Sequence, residues 1–212
     1  NYYEKSKFDA ENILKNEYKD LPWQIIRVAT IISDNNEGIV TQQNAFHNTL
    51  KLFFYGLLSL VPGKKDTPLY FVTGQFVIDA IADLTHTFND KAIYHLCHTL
   101  SESSTLGELL DLAYDRFNKE KDFQSRNILS PILCDLESFN LLAGETKKMG
   151  TTVMGQGMSS ISPFSKQLFS KKNFVNNNLQ SSIEKYSAPN PKDLLDSVCG
   201  YLVKTRWGKR AN

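Results

Sequence analysis

A chain of 212 residues with a formal net charge of +1 carries no field that would draw it to nucleic acid or to an anionic membrane surface. Apolar residues at 41% and charged residues at 22% are ordinary for a globular protein, and the length allows one sizeable domain or one and a half small ones. Three cysteines, Cys97, Cys134 and Cys199, far apart and odd in number, argue against a disulfide framework and show no metal-ligand spacing; they fit a reducing compartment, here the cytoplasm. The longest apolar stretch, residues 50–61, is broken by Lys51 and too short to span a bilayer. The polar, charged start has no apolar signal-peptide core, and a first residue other than methionine suggests a fragment or a processed chain.

The first predicted element is a helix over residues 2–18, where Tyr3, Phe8, Ala10, Ile13, Leu14 and Tyr18 recur at the 3.6 period between lysines and glutamates. Tyr3 and Lys7 then share one face, a turn apart. A phenol ordinarily titrates near about pH 10, and a cation held one turn away favours its ionised form and makes it a usable acid near neutrality. Spacing alone is weak support, since such pairs are common on solvated helix faces. Pro22 ends the helix. Residues 24–32 are apolar except for Gln24, Arg27 and Thr30, the pattern of a strand buried in a parallel sheet, and residues 33–38 supply turn chemistry.

A long helix is expected over residues 41–60, with Phe46, Leu50, Phe53, Phe54, Leu57 and Leu58 inward. Its aromatic face is that of a core helix or, alternatively, the wall of an acyl pocket; His47 on it reads as solvated or hydrogen-bonded. Pro62 and Gly63 stop it. A short strand at 68–73, a helix at 75–88 capped in part by Thr73, and a buried strand at 92–97 containing a structural His95 follow. Thr105 and Glu108 have capping-box spacing at the head of another helix. Residues 128–142 read as a helix after Pro131, and residues 144–190, rich in Ser, Asn, Lys and Gly, as the most mobile region. Within it the run Gly150–Gly157 reads as a flexible loop, not a phosphate cradle, because no Val/Ile strand precedes it. The pairs Lys147–Lys148 and Lys171–Lys172 read as solvated charge, with a phosphate-binding role as the alternative. Asn190 and Pro191 open a last helix.

Several phrases carry a resemblance. Tyr3-Glu4-Lys5-Ser6-Lys7 followed by Ala10-Glu11 is similar to the catalytic helix of the extended branch of the short-chain dehydrogenase/reductase superfamily. Within it, the likeness is to the thioester-reductase and fatty acyl-CoA reductase, or male sterility, family. The block from Leu21-Pro22 through Ile26-Arg27 and Thr30 to Asp34 and Gly38 resembles that family's strand and turn, with Val28 in place of a proline and Ser33 in place of a glycine. Tyr94-His95-Leu96, the phrase from Thr105 to Leu110 and the pair Tyr201-Leu202 resemble its later elements, whereas the aspartate that usually caps the helix after Thr73 is absent.

The resemblance implies an α/β fold: residues 1–100 as the C-terminal portion of a Rossmann-like parallel sheet with the catalytic helix, and residues 101–212 as a smaller, mostly helical substrate-binding lobe. It implies NADP as cofactor, with NAD as the alternative, Tyr3 and Lys7 as the catalytic pair, and Lys7, Val28, Ala29 and Thr30 against the nicotinamide. The implied reaction is reduction of an acyl thioester, on coenzyme A or a carrier protein, to an aldehyde or alcohol. The family's Gly-rich N-terminal half has no counterpart here, so a partner half, on the same polypeptide of a larger synthetase or on another, is expected, and weak binding of the dinucleotide by this stretch alone. A sugar-nucleotide epimerase or dehydrogenase of the same superfamily, and a non-catalytic module that kept the fold, stay open.

Overall fold

Helix α1, Tyr2–Asn16, forms where the lysine- and glutamate-rich run predicts it, with Glu4 in its first turn and Lys15 in its last, both favourable to the helix dipole. The structure is a computed structural model and describes residues 2–148 and 152–209. The described chain continues with β1 Gln24–Val28, β2 Thr30–Ser33, α2 Ala45–Phe54, β3 Leu60–Pro62, β4 Pro68–Leu69, β5 Phe71–Thr73, α3 Gly74–His86 and β6 Ala92–Leu96. After these come β7 Ser104–Thr105, α4 Leu106–Phe117, α5 Lys121–Gln124, β8 Ile132–Cys134, α6 Leu136–Lys148 and α7 Val153–Ile161. A 3-10 segment Ser162–Phe169, α8 Asn177–Ser182 and α9 Pro191–Lys204 complete it.

Parallel pairing dominates, as an α/β fold requires. β1 lies parallel to β6, from Gln24 opposite Ala92 to Val28 opposite Leu96; β2 lies parallel to β5, and β3 to β8, while β4 and β7 pair antiparallel. The apolar run expected as one buried strand is therefore two strands joined at Ala29. The Ala29 amide donates to Leu96 O at 3.1 Å and the next amide, of Thr30, to Tyr70 O at 3.3 Å, so the chain changes partners there. Burial is also less than that apolar run predicts. Among the described residues β1 and β2 each have one hydrogen-bonded neighbour, which leaves Val28 42% and Ile31 40% exposed. The apolar positions of α1 likewise enter no core: no residue of α1 is buried, Leu14 is half-buried, and Tyr3 and Phe8 are 63% and 66% exposed. Lys5–Asp9 at 2.6 Å and Lys15–Glu11 at 3.2 Å, each four residues apart, help hold this helix locally.

Other elements differ from expectation for identifiable reasons. The helix predicted over 41–60 spans only α2. Asn44 takes the N-cap in a capping box with His47, and residues 60–62 pair with β8 instead of continuing the helix. Residues 128–142 split into β8 and α6, with the Asp135 carboxylate accepting from the Ser138 amide at 2.8 Å. The glycine-rich run is no loop over its described part: Thr152 accepts from the Gly155 amide at 3.1 Å and starts α7, while Gly150 and Thr151 lie outside the described residues. A Cβ added at Gly157 would stand 2.7 Å from the Leu52 side chain, so that glycine serves the close approach of α7 to α2. The region 144–190, expected as the least ordered, carries the end of α6, α7, the 3-10 segment and α8.

The cap predictions hold at Thr73, Thr105 and Asn190. Two apolar clusters result. The larger gathers α2, α4, α6, α7 and α9 around Phe53, Phe54, Phe117 and Phe123, with Phe53 edge-on to Phe117 at 5.5 Å. The smaller sits between α3, β6 and α8 on Val72, Leu84, Tyr94, Leu96 and Leu179.

Candidate active site

Tyr3 and Lys7 meet as their spacing predicts. The Lys7 ammonium lies over the Tyr3 ring, 5.6 Å from its centroid, a cation–π geometry on an exposed helix face. What ties this helix to the sheet is a pair that sequence reasoning placed in motifs without assigning it a role. Arg27 Nε donates to Glu11 Oε1 at 2.9 Å and Nη2 to Oε2 at 2.7 Å, a two-pronged bond from β1 to α1. The guanidinium beside Glu11 pulls that carboxyl down to about 2, and Glu11 in turn raises Arg27. His95 completes the tie. Its Nδ1–H donates to Val175 O at 3.0 Å, which leaves Nε2 to accept from Arg27 Nη1 at 3.2 Å. Glu4, one residue past Tyr3, accepts from the Gln167 side chain, fastening the head of α1 to the 3-10 segment.

Beside this helix opens a cavity of about 800 Å³, within the range of small-molecule sites. Tyr3, Val28, Ala29 and Thr30 all line it; Lys7 is not among its lining residues. The structure thus gathers four of the five sequence-nominated site residues around one space, with the fifth stacked on one of them. The aromatic face of α2 contributes Phe46, Leu50 and Phe53 to the wall, so it is core and pocket lining at once. Exposed lining residues include Tyr3, Thr30, Asn44, Ser170 and Lys172, whereas the buried ones, Phe53, Leu109, Ala113, Phe139, Ile161 and Leu195 among them, are carbon except for the Tyr70 hydroxyl, which donates to Lys172 O at 2.8 Å. Gln167 has no sequence signal and Lys172 only that of its lysine pair, since their place here depends on how residues 162–174 fold back along the cavity.

The remaining candidates are structural. His47 is buried; its Nδ1 accepts from the Asn44 amide at 2.9 Å, so Nε2–H donates to Ile32 O at 2.9 Å, and burial pushes its pKa down. His98, also buried and lowered by burial, accepts the Phe71 amide at 3.3 Å. Burial pushes Cys97 up to about 11 and also raises Cys199, so neither thiol is poised as a nucleophile. Among the described residues no group of His, Cys, Asp and Glu could hold a metal ion, and no helix is long and apolar enough to cross a membrane. Lys171 pairs with Asp66 and Lys148 with Glu145.

Residues 1–81 match the family described as "Male sterility protein". No curated protein matches the chain. Among solved structures, the terminal R domain from the myxalamid PKS-NRPS biosynthetic pathway matches at TM-score 0.64 and 14% identity, over 94% of this chain and 49% of that one. A thiolation-reductase di-domain from an archaeal non-ribosomal peptide synthetase matches at TM-score 0.59 and 17% identity, over 93% of this chain and 39% of that one. UDP-glucose 4-epimerase from the hyperthermophilic eubacterium Thermotoga maritima, with UDP-glucose, matches at TM-score 0.53 and 12% identity, over 95% of this chain and 52% of that one. The chain spans about two-fifths to one half of the length of these structures. Residues 1–81 are thus similar to the male sterility family, and the described chain takes the Rossmann-like α/β fold that these reductases and epimerases share.

Proposed function

We propose that the chain supplies the catalytic helix and substrate pocket for NAD(P)H-dependent reduction of an acyl thioester, carried by coenzyme A or a carrier protein, to an aldehyde or alcohol. One observation carries this reading: Tyr3 and residues 28–30 line a single cavity whose buried walls are almost wholly apolar. On this reading residues 1–100 form the cofactor side and residues 101–212 the substrate lobe. The residues present suit only the nicotinamide end of a dinucleotide, through Lys7 and the exposed Val28–Thr30 edge; no glycine-rich strand–turn–helix for the pyrophosphate occurs among the described residues. The partner half expected from sequence would supply it. The dinucleotide, when bound, supplies hydride.

Tyr3 Oη gives its proton to the thioester carbonyl oxygen as the carbonyl carbon gains hydride, and the resulting hemithioacetal loses the thiol to leave the aldehyde. Lys7, held over the Tyr3 ring, returns the balance of charge when the phenol has given up its proton and offers N–H donors to a ribose hydroxyl. In the full-length protein, Tyr3→Phe should lower turnover of acyl-CoA with NADPH by about a hundredfold or more, with an unchanged melting temperature. Turnover equal to the parent would overturn the reading.

A sugar-nucleotide epimerase or dehydrogenase is the second reading, favoured by the match to the UDP-glucose epimerase fold. Buried walls that are almost all carbon suit a hydrocarbon better than a hydroxyl-rich sugar. Turnover screened with acyl-CoA against UDP-sugars separates the two.

A further inference from the structure

We propose that the buried end of the cavity gauges the length of an acyl tail, and that Ala113 sets the limit; this rests on the acyl-thioester reading above. The gradient of exposure along the lining gives the direction. Tyr3, Val28 and Ile31 at the mouth are 63%, 42% and 40% exposed, whereas Phe53, Ala113, Phe139 and Leu195 at the other end are 0–1% exposed. A ligand whose carbonyl reaches Tyr3 therefore sends its other end between α2, α4, α6 and α9. The two hydroxyls nearest those walls are already committed, Tyr70 to Lys172 O at 2.8 Å and Thr49 to Ala45 O at 2.9 Å, so the tail that fits is hydrocarbon.

Among those closed-end residues Ala113 is the smallest, with Phe53, Leu109, Phe139 and Leu195 around the same space. It sits in the middle of α4, which packs along α9, and its position is set by the helix backbone, not by a movable side chain. A larger residue at 113 projects into the cavity where a flexible one elsewhere could swing aside. Phe139, fully buried on α6, is the opposite case: it is a large ring whose removal extends the space.

The test is calorimetric titration of the full-length protein with butanoate, hexanoate, octanoate, decanoate and dodecanoate, without nicotinamide and without turnover. Affinity should rise about fourfold per added methylene and then level off at one length. Ala113→Phe should move that plateau to a shorter acid, and Phe139→Ala to a longer one. Ala113→Val gives the first shift with less crowding, and thermal melts report whether each variant is folded. A parent series without length dependence, or folded variants that keep the parent's plateau, overturns the gauge. The catalytic reading fails separately, on an active Tyr3→Phe.

Discussion

Glu11 and Arg27 hold the helix that carries Tyr3, although neither lines the cavity. No residue of α1 is buried, so the two-pronged bond from β1 is its firmest tie to the sheet. On the proposed thioester-reductase reading, Arg27→Met should lower turnover by about a hundredfold through a misplaced Tyr3, with Arg27→Lys recovering part of it. Its cost in stability should be about 1 kcal/mol or less, since the pair is part-exposed and screened by salt. The pH dependence has a definite sign. Glu11 in the fold lies at about 2, below its ordinary 4.5, so its contribution is complete above about pH 4.5 and is lost as pH falls through about 2. Melting curves of the parent and Glu11→Gln should therefore differ at neutral pH and converge in acid.

His47 behaves in the same direction for another reason. Burial favours its neutral form, so stability is full above its ordinary 6.5 and declines as pH falls below it, because the unfolded chain then takes up the proton first. His47→Phe should flatten that slope between about pH 7 and 5, at a cost of about 1–3 kcal/mol for the unpaired Ile32 carbonyl and Asn44 amide.

At the scale of elements, the helices divide by what covers them. α9 buries Leu194, Leu195, Val198, Cys199 and Leu202, whereas α1 buries nothing. Hydrogen exchange on the chain should find the α1 amides opening long before those of α9; equal protection would mean that α1 is covered in solution. α4 is secured at its head by the reciprocal Thr105–Glu108 box, and Lys192 of α9 bonds the same Glu108 at 2.9 Å. Thr105→Ala should cost about 1 kcal/mol, read as a lower denaturant midpoint. Such caps were legible because both partners lie within one turn of chain. The helix predicted over 41–60 is cut short at Phe54, where Gly56 takes a φ of +71°, and pairing with β8, some seventy residues on, makes residues 60–62 a strand.

Across the whole molecule, Gly38 joins the two kinds of information. It was read as a turn residue, and its φ of +77° agrees. The tighter constraint is α9, whose Ser197 backbone would lie 2.4 Å from a Cβ at position 38. Gly38→Ala should thus cost more than about 2 kcal/mol, part of it recovered in no variant that merely relaxes the turn.

By itself the sequence determined what neighbours along the chain can decide: the caps at Thr73, Thr105 and Asn190, the shared face of Tyr3 and Lys7, and the family phrases of the first 81 residues. Tertiary structure alone decided that α1 hangs from Arg27, that β1 and β2 change partners at Ala29, and that the aromatic face of α2 borders a cavity. Those outcomes rest on contacts between residues tens of positions apart. Local propensity and period carry no term for such contacts, because which surfaces meet, and which stay bare, is settled only when the elements pack.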